Sequence, residues 1–325
     1  MKTNTAAISG NAILRSGFSL KSIWDNAGML VVFLILFLLL SIFVPYFFTV
    51  QNIIGLFLSV SMIGMVASTM LFCLGAGEVD LSVEGIVVLA GVLSAVIITK
   101  TGNIFLGILS GLFAGGMAGL ISGLVVAKLR INSLITTLAM LYIVKGVAFI
   151  TSNGSSVGIN KEDFFVLGNG RMLSVPNPIW ITFIIFIIFG FLLNRTTYGR
   201  NTMAIGGNKE AARLAGINVD RIKILIFTIQ GLMSGLAGIV LASRMTSGQP
   251  NSSAGFALDC ISACVLGGVS LMGGVGTMVG TIVGVMIMGS VQNAMNLLGK
   301  EGLADRAVFS GDVMYDSILH YKDIA

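Results

Sequence analysis

Three carboxylates fall within the segment Gly77-Glu78-Val79-Asp80-Leu81-Ser82-Val83-Glu84, and a fourth acid, Asp259, stands alone in an apolar stretch. A charged side chain at the centre of a membrane helix costs ~2.5–3.5 kcal/mol on insertion scales, so each acid in apolar surroundings is a functional candidate. Two roles stay open for Asp80 and Ser82. They line or gate a pathway, or they cap the helix that follows and mark a boundary. Lys145 either snorkels outward or pairs with a carboxylate, and snorkelling, cheaper from near the outer end, is the expected solution. Asp259 is the best isolated candidate for a buried, partnered acid, and with Asp80 and Ser82 it is a candidate pathway or gate residue.

Enzyme chemistry finds no foothold in the remaining polar residues. Cys260 and Cys264 share a helix face at i, i+4, but with Cys73 they read as small core residues, because no further Cys and no His accompanies them. The single histidine, His320, lies in a polar tail, so a metal would lack ligands. Gly206-Gly207-Asn208 lacks the Lys-Ser/Thr of a phosphate loop. Any nucleotide energy must come from another polypeptide, and no cofactor is expected to bind directly.

The elements that position these residues are set by where charge is missing. Residues 26–77 contain no Asp, Glu, Lys, Arg or His, and 260–299 contain none either. Soluble domains leave no such runs, and only helices or closed barrels satisfy their backbone inside a bilayer. The runs lack barrel alternation, so they are helices. Only 10% of the 325 residues are charged and 55% are hydrophobic, with a mean hydropathy of +0.98. An all-α polytopic transmembrane bundle follows, in contact with membrane lipid. The net charge of +5 clusters in short connections, which argues against a nucleic-acid partner. The first apolar run is too long for a signal peptide, and an uncleaved helix is expected.

Nine spans are predicted, at about 27–45, 53–74, 81–99, 104–127, 131–151, 177–194, 223–243, 255–272 and 275–298. The third and eighth are the weakest, and either could be a broken or re-entrant helix. With the N-terminus inside, eleven basic residues fall on inner segments against four on outer connections before the tail, which fixes the orientation. In the outer loop 152–176, Phe164 and Phe165 are expected to pack against the bundle. The inner loop 195–222 holds a predicted short helix from Lys209 to Leu214, capped by Asn208 and stopped by Gly216. Glycines recur every fourth residue at Gly107, Gly111, Gly115, Gly119 and Gly123, and again at Gly276, Gly280 and Gly284. Such ribbons let helices approach closely, and scaffolding is their expected role.

On the inner loop, Glu210-Ala211-Ala212-x-x-x-Gly216 resembles the EAA-type loop of ABC-importer permeases. The wider string GRNTMAIGGNKEAARLAGINVDRIKI is similar to the membrane subunits that import pentoses, hexoses and related sugars. GEVDLSV at 77–83, AKLRINSLITTLAMLYIVKG at 127–146, and ASRMTSGQP with ISACVLGGVSLMGG within 242–274 agree, and the likeness runs from about residue 27 to 298. The resemblance, closest to the arabinose-type branch, implies a homodimeric permease beneath an extracytoplasmic sugar-binding protein, in a bacterial inner membrane. It implies ABC ATP-binding subunits that hydrolyse ATP, and a neutral monosaccharide, a pentose such as L-arabinose, as cargo. It also implies that Gly199, Arg200, Gly206, Gly207, Asn208, Glu210, Ala211, Ala212, Arg213 and Gly216 form the loop that meets the ATPase.

The chain departs from that family in three places. Glu84 stands where glycine is usual after DLSV, and Ala257 stands where an acid is common after the aromatic. Residues 299–325 carry five acids against three Lys and Arg and no apolar run of spanning length, so they are expected to lie outside the bilayer. The predicted organisation is an N-terminal cytoplasmic segment 1–26, a permease domain 27–298 and an atypical polar tail 299–325. Two other classes stay in view, an ion-coupled secondary sugar transporter and a membrane protein without transport. The first needs several intramembrane ionisable groups in matching halves.

Overall fold

The computed structural model describes residues 20–299, with side chains from Gly28 onward. The expected N-terminal segment is described only from Leu20, and the expected tail lies outside the described residues from 300 on. The long helices are α1 (Leu20–Phe43), α2 (Val50–Gly75), α3 (Val83–Thr101), α4 (Ile104–Leu124) and α5 (Ser133–Ser152). After a short α6 (Glu162–Asn169) come α7 (Asn177–Arg195), α8 (Thr197–Gly207), α9 (Lys209–Leu214) and α10 (Val219–Met245). The chain closes with α11 (Phe256–Leu266) and α12 (Met278–Gly299). Seven helices among the described residues are long and apolar enough to cross a membrane.

Of the nine expected spans two fall outside these seven: the first, whose apolar part is Gly28–Phe43, and the eighth, which takes the broken form left open for it. Residues 255–272 form an 11-residue helix, α11, followed by a turn through Gly267 and Gly268, which has φ +84°. At 1.5 Å per residue α11 covers about 16 Å, half a bilayer core. The glycine-rich sequence from 267 to 276 turns the chain back before it can span. The third predicted span, by contrast, is an unbroken helix of 19 residues.

α2 is the central pillar, with every residue from Val60 to Gly75 buried. A helix apolar on all sides belongs inside a bundle. α7, α10 and α11 pack around it and α8 meets its base, with α12 closing the same side through Gly289 against Val60. Thr49 caps its start by accepting from Asn52 N.

Glycines decide how closely the helices meet. A side chain at Gly115 would overlap the Gly231 carbonyl, one at Gly231 would overlap the Gly115 carbonyl, and one at Gly119 would overlap the Phe227 carbonyl. The ribbon of α4 is thus the seam with α10. The ribbon of α12 does the same for α11, with Gly280 against the Gly267 carbonyl and Gly284 against the Ala263 carbonyl. Small residues that admit a neighbouring backbone are how helices associate where lipid supplies no hydrophobic drive.

The two faces of the bundle differ. One carries Lys128, Arg130, Arg195, Arg200, Lys209, Arg213 and Arg221 in its connections and is the basic face. On the opposite face, β1 (Val157–Gly158) pairs with β4 (Ser247–Gly248), and β2 (Arg171–Met172) pairs with β3 (Val175–Pro176). Phe164 is fully buried there and Phe165 packs beside it, as expected. The Ser243 hydroxyl donates to the Phe164 carbonyl and accepts from Gly168 N, which ties α6 to the end of α10.

Candidate functional site

The basic face builds the first part of the site. Asn208 Oδ1 accepts from Ala211 N at 2.9 Å, and Gly216 ends the motif at φ +84° after its N–H bonds the Arg213 carbonyl. The cap, the helix and the stop thus fall where the sequence put them. Ala212 packs inward with Ile205 and Val219, whereas Ala211, Glu210 and Arg213 face outward. Leu214 is 90% exposed, an apolar side chain presented with nothing against it. Glu210 and Arg213 pair at 3.2 Å, an exposed i, i+3 contact that orients more than it stabilises.

The preceding helix α8 is absent from the sequence reading. Its signal was Thr196, whose hydroxyl accepts from Gly199 N. Gly199 is buried against the end of α7, where a side chain would overlap the Leu193 carbonyl, and Arg200 is exposed. Gly206 sits where three segments converge. A side chain there would overlap the Gly75 carbonyl at the base of α2 and crowd Gly274 N in the turn between α11 and α12. Gly274 N in turn donates to the Gly75 carbonyl at 2.9 Å. Gly207 is open to solvent on the same edge. Lys209 lies near Lys223, whose charge lowers its pKa.

The second part lies deeper. Past α2, Gly77 at φ +73° turns the chain, and residues 79–81 climb alongside α5 outside any helix. Val79 N donates to Ser133 Oγ at 3.2 Å, and Leu81 N donates to Thr137 Oγ1 at 3.0 Å. Side-chain hydroxyls thus satisfy backbone groups that hydrocarbon could not. Glu78 forms an ion pair with the largely buried Lys223 of α10. Asp80 is fully buried, and its Oδ1 accepts from both the amide and the hydroxyl of Ser82. Ser82 has helical dihedrals and makes no cap bond of its own. Asp80 therefore braces the turn into α3, and its Oδ2 is buried without a hydrogen-bond partner among the described residues.

Glu84 was set aside in the sequence as a departure, yet it joins three elements. It pairs with Lys145 of α5, which therefore does not snorkel, and its Oε2 accepts from Gly255 N at the start of α11 at 3.0 Å. Lys145 stands about 18 Å along α5 from Ser133, near the middle of a ~30 Å core. Asp259, one turn into α11, is half-buried and makes no ion pair among the described residues. The structure thus brings Glu84 and Lys145 to the level of α11's start, while Asp80 and Ser82 are packed beneath it. Sequence separation hid the pairing of Glu84 with Lys145.

The described residues form a presented helix on the basic face, linked through Gly206 to the base of α2 and to the turn that follows the half-helix α11. Residues 52–315 match the family described as branched-chain amino acid transport system / permease component. The chain is 54% identical over 305 residues to the L-arabinose transport system permease protein AraH of Escherichia coli (strain K12), covering 94% of this chain and 93% of that protein. It is 55% identical over 274 residues to the L-arabinose ABC transporter permease protein AraH of Azospirillum brasilense, with 84% and 81% covered. The ribose import permease protein RbsC of Escherichia coli (strain K12) is 38% identical over 274 residues, with 83% and 85% covered. No solved structure matches the chain. The half-broken bundle, its presented helix and this similarity agree: the chain belongs to the branched-chain amino acid transport system / permease component family, as an integral inner-membrane transport subunit that is not itself an enzyme.

Proposed function

We propose that the chain is the permease of an ATP-driven importer for a pentose, L-arabinose, handed over by an extracytoplasmic binding protein. Partner ATP-binding subunits supply the energy, and α8 and α9 meet them through the exposed Arg200, Gly207, Asn208, Glu210, Ala211, Arg213 and Gly216, while Gly199, Gly206 and Ala212 seat the loop on the bundle. The observation that carries this reading is Leu214, 90% exposed at the end of a capped six-residue helix whose other face is buried. A short amphipathic helix of this kind fits a groove in a partner. The contact of Gly206 with the base of α2 and the α11–α12 turn supplies a route by which movement of that helix reaches mid-membrane.

A second copy of the chain fits the half-exposed side of the mid-membrane site. Lys145 and Asp259 are both partly exposed at membrane depth, where lipid is a poor neighbour for charge. Asp259 then lines the path between two copies, with Asp80 and Ser82 holding the wall behind it. No observation favours the ion-coupled carrier.

Reconstitution with an ATPase subunit and binding protein in proteoliposomes tests the proposal. Gly216→Val forces a β-branched residue into a left-handed turn, at a cost of roughly 1–2 kcal/mol. The variant is expected to insert normally while ATP hydrolysis continues without L-arabinose uptake. Normal uptake would remove the coupling role of this loop. Uptake of a different pentose by the unaltered protein, with L-arabinose refused, would reassign the sugar.

A further inference from the structure

α11 is held at three points of different character. Its lower end is clamped to α12 by the glycine contacts at Gly267, Gly280 and Gly284. Its flank is pinned to α2, where Cys264 Sγ donates to the Ala67 carbonyl and Cys260 Sγ points to the Ile63 carbonyl. Its upper end hangs from residues 249–255, a stretch with left-handed dihedrals at Ser253 (φ 68°) and Gly255 (φ 80°). No side chain of its own segment caps that end. The cap comes from Glu84, across 171 residues of sequence, through Gly255 N–H.

The chemistry of this contact is specific. A helix start presents unsatisfied N–H groups and partial positive charge, and a carboxylate is its natural complement. Glu84 sits in the first turn of α3, so one carboxylate serves the starts of two helices. Its other oxygen is held by Lys145, which fixes the rotamer that reaches Gly255. Gly85, the next residue, lies against the Leu141 carbonyl and Val144, so α3 cannot drift along α5 and carry the carboxylate away. The Glu84 side chain is 12% exposed and that of Lys145 24%, so the latch borders accessible space and is not sealed in the core.

We propose that Glu84 is a positioning residue for transport: its carboxylate latches the free upper end of α11 to α3 and α5, and the solute path at mid-membrane opens when that hydrogen bond breaks. Movement entering through Gly206 and the α11–α12 turn pushes on the clamped end of α11 and is read out at the latched end. The proposal rests on the chain's role as an ATP-driven permease and is indifferent to which sugar is carried.

The test uses the assembled transporter, with Glu84→Ala, the milder Glu84→Gln and the swap E84K/K145E. Hydrogen exchange of the peptide covering 249–258 reads the latch directly, since Gly255 N–H is its donor. Loss of a bond to a charged acceptor is expected to speed that exchange about ten-fold or more in Glu84→Ala, and less in Glu84→Gln, whose amide oxygen still accepts. ATP hydrolysed per sugar imported, measured per assembled complex, is expected to rise in the same order. The swap restores an ion pair but places an ammonium at Gly255, which it cannot cap, so exchange and coupling are expected to stay altered. Wild-type behaviour in the swap would overturn the latch in favour of a simple ion pair. Unchanged exchange in Glu84→Ala, or faster exchange with unchanged coupling, would overturn it as well. Failure of the unaltered transporter to import L-arabinose would strike at the assigned sugar, while the exchange measurement would still decide the latch.

Discussion

Thr136 and Thr137 are neighbours on α5 and both are buried, at 8% and 0% exposed. They separate sharply under one chemical change. Thr137 Oγ1 accepts Leu81 N–H at 3.0 Å and donates to the Ser133 carbonyl at 2.8 Å. Thr136 Oγ1 is buried with no hydrogen-bond partner among the described residues. Replacement by valine exchanges a hydroxyl for a methyl group of similar size and keeps the β-branch, so packing changes little at either site. In Thr137→Val the Leu81 amide is left buried and facing carbon, which costs about 1–3 kcal/mol. In Thr136→Val an unsatisfied polar atom is removed, and the outcome is neutral or mildly stabilising. Reversible unfolding of the purified permease in mixed micelles should resolve a gap of at least ~1 kcal/mol between the two variants. Transport per assembled complex should fall in Thr137→Val alone, because the segment it supports leads into α3 and Glu84. Equal losses in both variants, or a greater loss in Thr136→Val, would refute the claim that α5 hydroxyls hold residues 79–81 in place.

Three further expectations follow from the same geometry. Lys223→Gln strands Glu78 in a buried position and should cost about 3–5 kcal/mol, whereas Glu78→Gln with Lys223→Met should recover much of it, both read by unfolding. Asp80→Asn keeps an acceptor for Ser82 and should assemble and transport near the wild-type level, while Asp80→Ala should lose about 0.5–2 kcal/mol; strongly reduced uptake by fully assembled Asp80→Asn would instead mark Asp80 as a gate. Gly119→Leu would drive a side chain into the Phe227 carbonyl and should lower protease-resistant protein, by at least the ~1–3 kcal/mol of overpacking. Gly146→Leu, with nothing within 4 Å of its Cβ position, is the tolerated control.

How much of this was legible beforehand depended on whether the governing contact was local. The α9 motif was readable because Asn208, Ala211 and Gly216 act on one another within a few residues. The seam between α4 and α10 was readable as a period of four glycines, although its partner was not. The break after α11 was obscured by a charge-free run, since hydropathy registers solvent and not continuity of the helix. The signal lay in Gly267-Gly268 and Gly273-Gly274, two turn dipeptides inside an apolar stretch. Lys145 was expected to reach for the surface because snorkelling from near the outer end was the cheaper of its two solutions. Its partner, Glu84, is 61 residues away and reaches it only because the extended climb of 79–81 lifts the start of α3 to that level. Likewise, Asp259 has no ion-pair partner among the described residues, the nearby Lys145 being held by Glu84.

The enclosure of α2 has a consequence for how the protein is made. Its neighbours α10, α11 and α12 lie roughly 150–220 residues further along the chain, so at ~5–20 residues per second α2 waits on the order of 10–40 s before it is surrounded. During that interval its neighbour is lipid or the insertion machinery. Its polar side chains are arranged to tolerate the wait: Ser61, Ser68 and Thr69 donate to the Leu58, Met65 and Val66 carbonyls of the same helix and need no later partner. The most deeply buried helix of the finished permease is therefore also equipped to stand alone, and the order of synthesis, as much as the final packing, accounts for where its hydroxyls point.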